Sequence, residues 1–589
     1  MPVSKLFANL LPGHPDTQHD QTDPVDQPPE PKARPRATTY RDKFRIHGRL
    51  PTYSGPYDVG TVDLELPVRD PRTFSDITRH KIHVLALETV LVSIYYPAKA
   101  DTELNCRHQR HKHPSNQRQR WLPESRLKMS QAYARYGSLP DFVLVPFLMA
   151  TTWTTKLPAQ EQARMADRWP SLPIDPRLKE QDSGESPTQR LSEPVFPLIM
   201  FSHGMGGNRR TSSTICGELA SYGFVVCALE HRDGSGSYSL IKHAPSGLSS
   251  RQELEKEGGR EHSKTKPTTA NDEIKFVFPR QDKHDSTPGH EVDSELRHAQ
   301  IRMREAEIAE AYELIKLLND GRGDDVAKNN LRSTAGASGD QMDWSSWRSK
   351  VHTDKVTMMG HSFGAVTTVR VLRNSKLFPQ MTQGIIYDIW GAPVIPRFEV
   401  DDFFVHRPLL GMNSEAFTNW PRNFEVAKNI VQESLNSCNR AWLMTVRGTI
   451  HVSQTDFCLM YPHLSRFAVK ARIDPLRAID LNVEASLEFL SRVLDLGEQP
   501  FRGSMKKTTF LDQTVLPELP DPGESGAKYT AVRPRLTEKV HKKHYTDRGR
   551  KQSWSRLGED VNTDVWLHMA PSAETSQIHA RRSGNDLPS

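Results

Sequence analysis

A serine between two glycines, placed where a buried strand gives way to a helix, constrains this fold more than any other feature of the sequence. The run Gly360-His361-Ser362-Phe363-Gly364 follows the apolar segment 356–359 and precedes residues 365–372, whose Val and Thr residues suit an amphipathic helix. The five-residue string alone is expected by chance in roughly one chain in seven of this length. The order strand, sharp turn and helix is far more specific, and it predicts that Ser362 stands at the carboxyl edge of a sheet.

The two glycines explain how such a turn exposes a reactive hydroxyl. Gly360 and Gly364 add no side chain where the strand and the helix come close, and the turn holds Ser362 in a strained backbone conformation. The same turn directs the N–H of Phe363 toward the negative oxygen that forms when Ser362 attacks a carbonyl carbon. The motif therefore predicts a nucleophilic serine with one oxyanion donor beside it.

A glycine-rich loop upstream is the expected source of a second oxyanion donor. The apolar strand 197–202 is followed by His203-Gly-Met-Gly-Gly207, and the N–H of Met205 is the expected donor. Glycines on both sides of Met205 allow the backbone to approach a substrate closely. The alternative is an ordinary flexible turn that leads into a helix near residues 211–222.

An acid and a histidine follow Ser362 along the chain in the order that this kind of fold uses. The apolar run 384–388 ends in Asp388, and His451 lies in a loop just after the apolar run 441–446. We expect His451 to take the proton of Ser362 during attack, and Asp388 to fix the tautomer of His451 and stabilise its imidazolium. Other acids remain alternatives to Asp388, namely Asp401, Asp402, Glu415 and Asp456.

The sequence predicts an α/β-hydrolase fold, with a mostly parallel central sheet and helices on both of its faces. Of the 589 residues only 36% are hydrophobic and 42 are Pro, which indicates one folded core with long polar extensions. We expect a disordered N-terminal tail over residues 1–40 and a catalytic domain over 41–500. Polar insertions near 105–120 and 240–292 interrupt that domain in this interpretation, and a basic, largely disordered C-terminal tail follows over 501–589.

Charge, cysteines and histidines argue against several other classes of function. The net charge of +6 is small for this length and does not favour nucleic acid as a partner. The five cysteines are scattered and lack CxxC spacing, which argues against a disulfide framework or a zinc site and favours a reducing compartment. The His-rich run 107–113 is expected to be a solvated loop, with a metal site as the alternative. No metal and no other cofactor is predicted.

One apolar segment, residues 139–153, is long enough to meet a membrane surface but too short to cross one. Pro146 interrupts any long helix there, and the sequence leaves peripheral docking and a buried lid both open. The apolar run near the N-terminus is shorter than a signal peptide requires, so the predicted location is cytoplasmic, with peripheral membrane contact. The residues expected to make that contact are Leu139, Phe142, Phe147, Leu148 and Trp153.

Several short motifs occur along the chain together with the serine turn. They are Gly55-Pro-Tyr-x-Val-Gly60, Phe201-Ser-His-Gly-Met-Gly206, Gly223-Phe-Val-Val226 with Glu230-His-Arg-Asp233, Tyr387-Asp-Ile-Trp390, and Arg447-Gly-Thr-Ile-His451 with Asp456-Phe457. In this order they resemble the platelet-activating-factor acetylhydrolases of the plasma and intracellular type II class, in a fungal version. The resemblance spans roughly residues 50–495, and it departs from the family at Ala365, where a further Gly is usual.

The resemblance implies a chemistry as well as a fold. It implies Ser362, Asp388 and His451 as a catalytic triad, and Met205 and Phe363 as the oxyanion donors. The implied activity is calcium-independent hydrolysis of the short or oxidised sn-2 acyl ester of phospholipids, of the 1-alkyl-2-acetylglycerophosphocholine esterase type, without a cofactor. The alternatives are a general carboxylesterase or polyester hydrolase on the same fold, and a catalytically inactive scaffold used for binding.

Overall fold

The computed structural model describes residues 49–79, 82–99, 118–123, 125–169, 193–242, 271–278, 289–332, 342–391, 404–467, 471, 473–494, 510–516, 518–519 and 565–572. All of these residues belong to one unit of the chain, residues 31–589. The predicted N-terminal tail 1–40, the His-rich run 107–113, and both Asp401 and Asp402 lie outside the described residues.

Alternating and β-branched runs of the sequence form the strands. They are β1 (Asp58–Thr73), β2 (Thr78–Arg79), β3 (Ile82–His83), β4 (Ala86–Ala98), β5 (Gln160–Glu161), β6 (Phe196–Ser202), β7 (Val225–Glu230), β8 (Tyr238–Lys242), β9 (Asn271–Lys275), β10 (Val351–His361), β11 (Met381–Tyr387), β12 (Leu409–Ser414), β13 (Ala441–Val446) and β14 (Val565–Met569). Ten of these strands form one sheet in the order β14-β13-β12-β11-β10-β6-β7-β4-β1-β5. Strands β2 and β3 form a separate antiparallel pair, as do β8 and β9.

The centre of the large sheet is parallel. Strand β6 pairs in parallel with β7 and β10, and the parallel pairing continues through β11 and β12 to β13. Strand β4 runs antiparallel to both β1 and β7. Because the parallel strands point the same way, the loops that follow β6, β10, β11, β12 and β13 meet at one edge of the sheet.

Helices cover both faces of this sheet. They are α1 (Arg126–Tyr136), α2 (Asp141–Thr152), α3 (Ser213–Ser221), α4 (Gly289–Asn319), α5 (Gly323–Asn329), α6 (Phe363–Arg373), α7 (Glu415–Thr418), α8 (Pro421–Cys438), α9 (Asp456–Met460), α10 (Pro462–Phe467) and α11 (Pro475–Val493). Apolar residues of α4, α6 and α8 pack in one core, and those of α3 and α11 pack in another. Adjacent residues of β11 face the two cores, Ile386 the first and Ile385 the second. The predicted fold class is therefore confirmed.

The C-terminal tail over 501–589, predicted to be largely disordered, contains two segments that the structure places in the folded domain. Residues Val565–Met569 form β14, which pairs antiparallel with β13 and extends the sheet at that edge. Phe510 and Leu511 are buried in the second core. In β14, Val565 and Leu567 are buried while Trp566 between them is more exposed, as expected for a strand on a sheet. This short alternating run lies in a basic, polar stretch, so composition alone does not distinguish it from the rest of the tail.

Part of the predicted insertion near 240–292 is regular structure. Strands β8 and β9 pair from Tyr238 opposite Lys275 to Lys242 opposite Asn271, and helix α4 begins at Gly289. Residues 243–270 and 279–288 lie outside the described residues. Within the insertion, the described residues therefore form a pair of antiparallel strands and the start of a long helix.

Candidate active site

Ser362 lies in the turn between β10 and α6, where the motif places it. Its backbone has φ 59° and ψ −116°, a conformation that residues with a side chain rarely adopt. A Cβ on Gly360 would overlap the carbonyl group of Gly364, and a Cβ on Gly364 would overlap the carbonyl group of Ser202. Only glycine fits these two positions, and the close packing of backbone on backbone holds Ser362 in its strained turn.

Two backbone hydrogen bonds connect this turn to the end of β11. The N–H of Ser362 donates to the carbonyl of Tyr387 at 2.9 Å, and the N–H of Trp390 donates to the carbonyl of Ser362 at 3.3 Å. Asp388 lies between Tyr387 and Trp390 in the chain and has a positive φ of 43°. The nucleophile turn and the predicted acid are thus fixed to each other through the backbone.

The loop after β6 lies directly against the serine. A Cβ on Gly204 would come within 2.7 Å of the Ser362 Cβ and within 3.1 Å of the His361 carbonyl oxygen. Glycine at position 204 therefore lets the loop backbone reach Ser362. Ser362 is 6% exposed in the resulting site.

Two N–H groups beside Ser362, those of Met205 and Phe363, have no backbone acceptor among the described residues. The next two N–H groups of the loop, those of Gly206 and Gly207, donate to the carbonyls of Ser235 and Gly204 at 2.8 and 3.2 Å. Within the described part of the chain, the N–H of Met205 has no backbone acceptor. Phe363 is the first residue of α6, so its N–H has no acceptor within the helix.

Helix α1 supports the same loop from outside the sheet. The Tyr136 hydroxyl donates to the carbonyl of Met205 at 3.4 Å, and a Cβ on Gly206 would come within 2.5 Å of the Tyr136 ring. One turn earlier, the Tyr133 hydroxyl accepts a hydrogen bond from Asn208 Nδ2 at 2.9 Å. Two tyrosines of α1 therefore hold the loop that carries Met205.

Asp388 and His451 meet at the carboxyl edge of the sheet. Nδ1 of His451 lies 3.1 Å from Oδ2 of Asp388, and the Asp388 side chain is completely buried. Ser414, at the end of β12, donates twice to this carboxylate, from its N–H to Oδ1 at 2.5 Å and from its hydroxyl to Oδ2 at 2.6 Å. These hydrogen bonds fix the carboxylate with Oδ2 facing the imidazole.

Two aromatic rings fix the plane of the His451 imidazole. The Phe417 ring, from α7, stacks on it with centroids 4.3 Å apart and planes 9° from parallel. The His361 ring stacks on it at 4.4 Å, and Nε2 of His361 lies 3.1 Å from the His451 carbonyl oxygen. Because His361 directly precedes Ser362, this stack places His451 beside the nucleophile turn.

The hydroxyl of Ser362 and the imidazole of His451 are both described, and no hydrogen bond joins them in this structure. Contacts between a nucleophile and its base are often long without substrate and shorten when substrate binds. The orientation of His451 is already set by its contact with Asp388 and by the ring stack. The structure therefore brings Asp388, His451 and Ser362 to one edge of the sheet, with no hydrogen bond between Ser362 and His451.

Burial sets the protonation of the acid and the base. Burial raises the pKa of Asp388 to about 7, although the two hydrogen bonds from Ser414 lower it. Burial lowers the pKa of His451 to about 3, so this imidazole is neutral at pH 7. The two groups are in contact, so a single proton is gained or lost by the pair near pH 7. Above that pH the pair carries a carboxylate and a neutral imidazole, which is the form that can accept a proton from Ser362.

The same histidine and carboxylate groups could be read as a metal site. One ligand atom from each of His361, Asp388 and His451 lies within 4.8 Å of the others. The Asp388 carboxylate already accepts two hydrogen bonds from Ser414 and faces His451, while Nε2 of His361 faces a backbone carbonyl. This hydrogen bonding suits orientation of an imidazole by a carboxylate better than it suits a shared metal ion.

The described alternatives to Asp388 have other partners. Asp456 is buried and accepts hydrogen bonds from Ser213, Thr214 and the Trp121 indole, so it holds the start of α3. Glu415 accepts from the N–H of Gly448 at 2.6 Å and so braces the loop before His451. Asp388 is the acid that the structure places against His451.

The apolar segment 139–153 forms α2 with the residues that flank it. Leu139, Phe142 and Trp153 are exposed, Phe142 at 82%, whereas Leu148 is only 4% exposed and packs in the second core. Phe147 is half-buried, with its ring 5.3 Å from that of Tyr461. Leu148 therefore lies on the inner side of α2, not on an outer surface. The prediction that Leu148 contacts a membrane is wrong for this reason.

Helix α2 continues through Pro146, which is exposed. Among the described residues, no helix is long and apolar enough to cross a membrane.

Several residues that shape the site carry no signal in the sequence. Ser414 and Phe417 come from the end of β12 and from α7, and Tyr136 comes from α1, far from any motif. Their roles depend on contacts between elements that are distant in sequence. The adjacency of His361 to Ser362 was visible, but its stacking on His451 was not.

A mostly parallel sheet covered by helices on both faces, with a serine in a strained strand–turn–helix motif, is an α/β-hydrolase fold. The sequence model of the family "Platelet-activating factor acetylhydrolase, isoform II" matches residues 185–509, more than half of the chain. The chain belongs to this family, as its motifs predict.

Relatives with known names agree with this membership. The chain is 33% identical over 308 residues to the platelet-activating factor acetylhydrolase of Gallus gallus, covering 51% of this chain and 63% of that protein. The protein of the same name from Canis lupus familiaris is 31% identical over 306 residues, covering 51% of this chain and 58% of that protein. The chain thus spans about 58 to 63% of the length of these two relatives.

A longer match is found in a yeast. A protein of Schizosaccharomyces pombe named "Putative phospholipase A2" is 26% identical over 478 residues, covering 76% of this chain and 92% of that protein.

Proposed function

We propose that this chain is a serine ester hydrolase whose substrate is a phospholipid with a short or oxidised acyl chain at the sn-2 position. The observation that carries the proposal is Ser362 in its strained turn beside the Asp388–His451 pair. The names of the relatives, platelet-activating factor acetylhydrolase and phospholipase A2, support a phospholipid as the substrate class. The hydrolysis is proposed to be independent of calcium.

The proposed reaction uses groups of the chain itself. The Ser362 oxygen attacks the ester carbonyl carbon while Nε2 of His451 takes the hydroxyl proton, and Asp388 stabilises the imidazolium. The N–H groups of Met205 and Phe363 donate to the negative oxygen of the tetrahedral intermediate. His451 then gives its proton to the departing lysophospholipid oxygen. A water molecule then gives a proton to His451 and attacks the acyl carbon. The bond from the Ser362 oxygen to the acyl group breaks as His451 returns the proton to that oxygen, and the carboxylic acid leaves.

A set of hydrolysis assays on different esters tests the proposed substrate class. The chain of 589 residues is assayed on phosphatidylcholines with an acetyl, a short oxidised or a palmitoyl sn-2 chain, and on p-nitrophenyl acetate, each with and without EDTA. We expect rapid release of the acetyl and oxidised chains, slow release of palmitate, and no effect of EDTA. Cleavage of p-nitrophenyl acetate alone would point instead to a general carboxylesterase. Loss of activity in EDTA would contradict calcium independence.

We also propose that the exposed face of α2 docks on a phospholipid surface. Leu139, Phe142 and Val143 form an exposed apolar patch at the start of α2, and the exposed Trp153 lies at its other end. The Trp153 ring has guanidinium groups near it, that of Arg126 at 4.3 Å and that of Arg120 at 5.8 Å. Apolar side chains beside cations suit the interface of a bilayer with anionic headgroups.

The docking test compares two exposed apolar residues. Phe142→Asp should lower sedimentation with anionic phosphatidylcholine/phosphatidylserine vesicles while leaving hydrolysis of p-nitrophenyl acetate unchanged. Leu377→Asp is the matched control, because Leu377 is 55% exposed and follows α6, before the amino end of β11. Equal vesicle binding by the two variants would contradict the docking surface. Phe147 is a poorer test site, since it packs against Tyr461.

A further inference from the structure

A buried arginine of α4, Arg304, touches both of the elements that carry the proposed oxyanion donors. Its side chain has no exposed surface. Nη1 donates to the carbonyl of His203 at 2.9 Å, two residues before Met205. The guanidinium carbon lies 4.4 Å from the centroid of the Phe363 ring, a cation–π distance.

The other side of the guanidinium holds the loop beyond Met205. Nε of Arg304 donates to Asp233 Oδ2 at 2.7 Å, and Nη2 donates to the Ser235 hydroxyl at 2.7 Å. The carbonyl of Ser235 in turn accepts the N–H of Gly206 at 2.8 Å. Arg304 therefore restrains the Met205 loop on both sides, at His203 directly and at Gly206 through Ser235.

We propose that Arg304 is a positioning residue that sets the distance between the N–H groups of Met205 and Phe363. This inference rests on the proposed ester hydrolysis, since only that reaction forms an oxyanion at Ser362. The donors stabilise this charge when they lie about 2.7–3.1 Å from it, so their spacing matters. The planar fork of an arginine can hold several acceptors at fixed angles, which an ammonium group cannot do.

Stability alone is a weak reason for this arrangement. A buried ion pair contributes little net stability compared with apolar residues of the same volume, because both charges lose their hydration. The contacts of Arg304 instead converge on the two segments whose relative position matters for catalysis. A role in geometry therefore accounts for the contacts better than a role in holding the fold together.

The test compares Arg304→Lys with Arg373→Lys. Arg373 is the matched control, because it is also buried and paired, with Glu433 at 2.7 Å, at the far end of α6 from Ser362. We expect Arg304→Lys to lower kcat for p-nitrophenyl acetate about 10- to 100-fold, with KM within about twofold, since one oxyanion donor is typically worth about 100- to 1000-fold. Affinity for a trifluoromethyl ketone, which forms a tetrahedral oxyanion, should fall by the same factor as kcat/KM.

Equal kcat values for Arg304→Lys and Arg373→Lys, measured on protein with wild-type circular dichroism, would overturn the proposal. If Arg304→Lys does not fold, Ser235→Ala decides, because it removes a neutral hydrogen-bond partner shared by Arg304 and Asp233 and leaves these two charges paired with each other. A several-fold lower kcat at unchanged KM supports the proposal, and an unchanged kcat overturns it. An inactive wild-type protein, or an active Ser362→Ala variant, would instead refute the proposed function itself.

Discussion

The two halves of the candidate site are built by different means. On the nucleophile side, Ser362 and the Met205 loop are held by backbone packed on backbone, with Gly204, Gly360 and Gly364 at the points of contact. On the base side, Asp388 and His451 are held by side chains that come from other elements, Ser414 from β12 and Phe417 from α7. One half depends on the absence of side chains and the other on their presence.

The two halves therefore control different properties of the site. A backbone turn fixes the position of an oxygen and two N–H groups, and any added atom displaces them. A side-chain cluster fixes the orientation of an imidazole and also the proton affinity of its partner, since hydrogen bonds to a carboxylate lower its pKa. We therefore expect substitutions on the first side to change geometry alone, and substitutions on the second side to change the pH dependence as well.

The largest effect we expect on the base side comes from Asp388→Asn. The amide cannot hold His451 in the tautomer that leaves Nε2 free to accept a proton, so kcat should fall by about 10⁴-fold. The measurement is hydrolysis of p-nitrophenyl acetate over a range of substrate concentrations.

Asp456→Asn serves as the contrast for Asp388→Asn, because Asp456 is also fully buried but holds α3 and does not contact His451. Asp456→Asn should lower the melting temperature more than kcat of the folded fraction. A similar loss of kcat in both variants would break the assignment of Asp388 as the partner of the base.

Gly204→Ala tests the nucleophile side with the smallest possible addition. The new Cβ would lie 2.7 Å from the Ser362 Cβ, so the loop must move away and take the Met205 N–H with it. We expect kcat to fall by about 100-fold, the order of one lost oxyanion donor, without a change in its pH dependence.

Gly411→Ala is the matched control for Gly204→Ala. Its Cβ would come equally close, 2.8 Å, but to the end of the Leu443 side chain within the sheet, which can shift. If Gly204→Ala has the same kcat as the wild type, the loop does not take part in the reaction.

Ser414→Ala should give the smallest loss and the clearest change in pH dependence. In the wild type, kcat/KM should rise with pH through about 7 and level off above, because the Asp388–His451 pair must lose its proton to act as a base. Ser414 lowers the pKa of Asp388 through two hydrogen bonds, and Ser414→Ala removes the one from the hydroxyl, so the rise should move to higher pH.

We expect kcat in Ser414→Ala to fall by about 10-fold at pH 7. The measurement is kcat/KM from pH 5 to 9. A profile that keeps the wild-type midpoint would show that Ser414 does not tune the pair.

The sequence predicted the half of the site that depends on glycine and on chain order. Gly360, Gly364 and the glycines around Met205 are visible because only glycine tolerates such close backbone contacts. Apolar runs located the parallel strands, and with them the loops that carry Asp388 and His451. These features follow from local chain geometry, so one sequence was sufficient to place them.

The remaining features depend on tertiary contacts that no local pattern encodes. Ser414 and Phe417 are ordinary residue types, and their roles arise only because β12 lies between β11 and β13 in the sheet. Strand β14 is five residues long in a polar stretch, and its pairing with β13 joins segments more than one hundred residues apart. The sequence does not separate Leu148 from its exposed neighbours, because a short apolar helix shows little difference between its two sides.

The central claim is that Ser362 is the nucleophile, and mapping a covalent adduct tests it most directly. The folded protein is treated with a fluorophosphonate, digested, and analysed by mass spectrometry, while loss of p-nitrophenyl acetate hydrolysis is followed in parallel. The structure predicts a single adduct on Ser362 that forms in proportion to the loss of activity. Loss of activity with the adduct on another residue, or full labelling of Ser362 with activity retained, would contradict it.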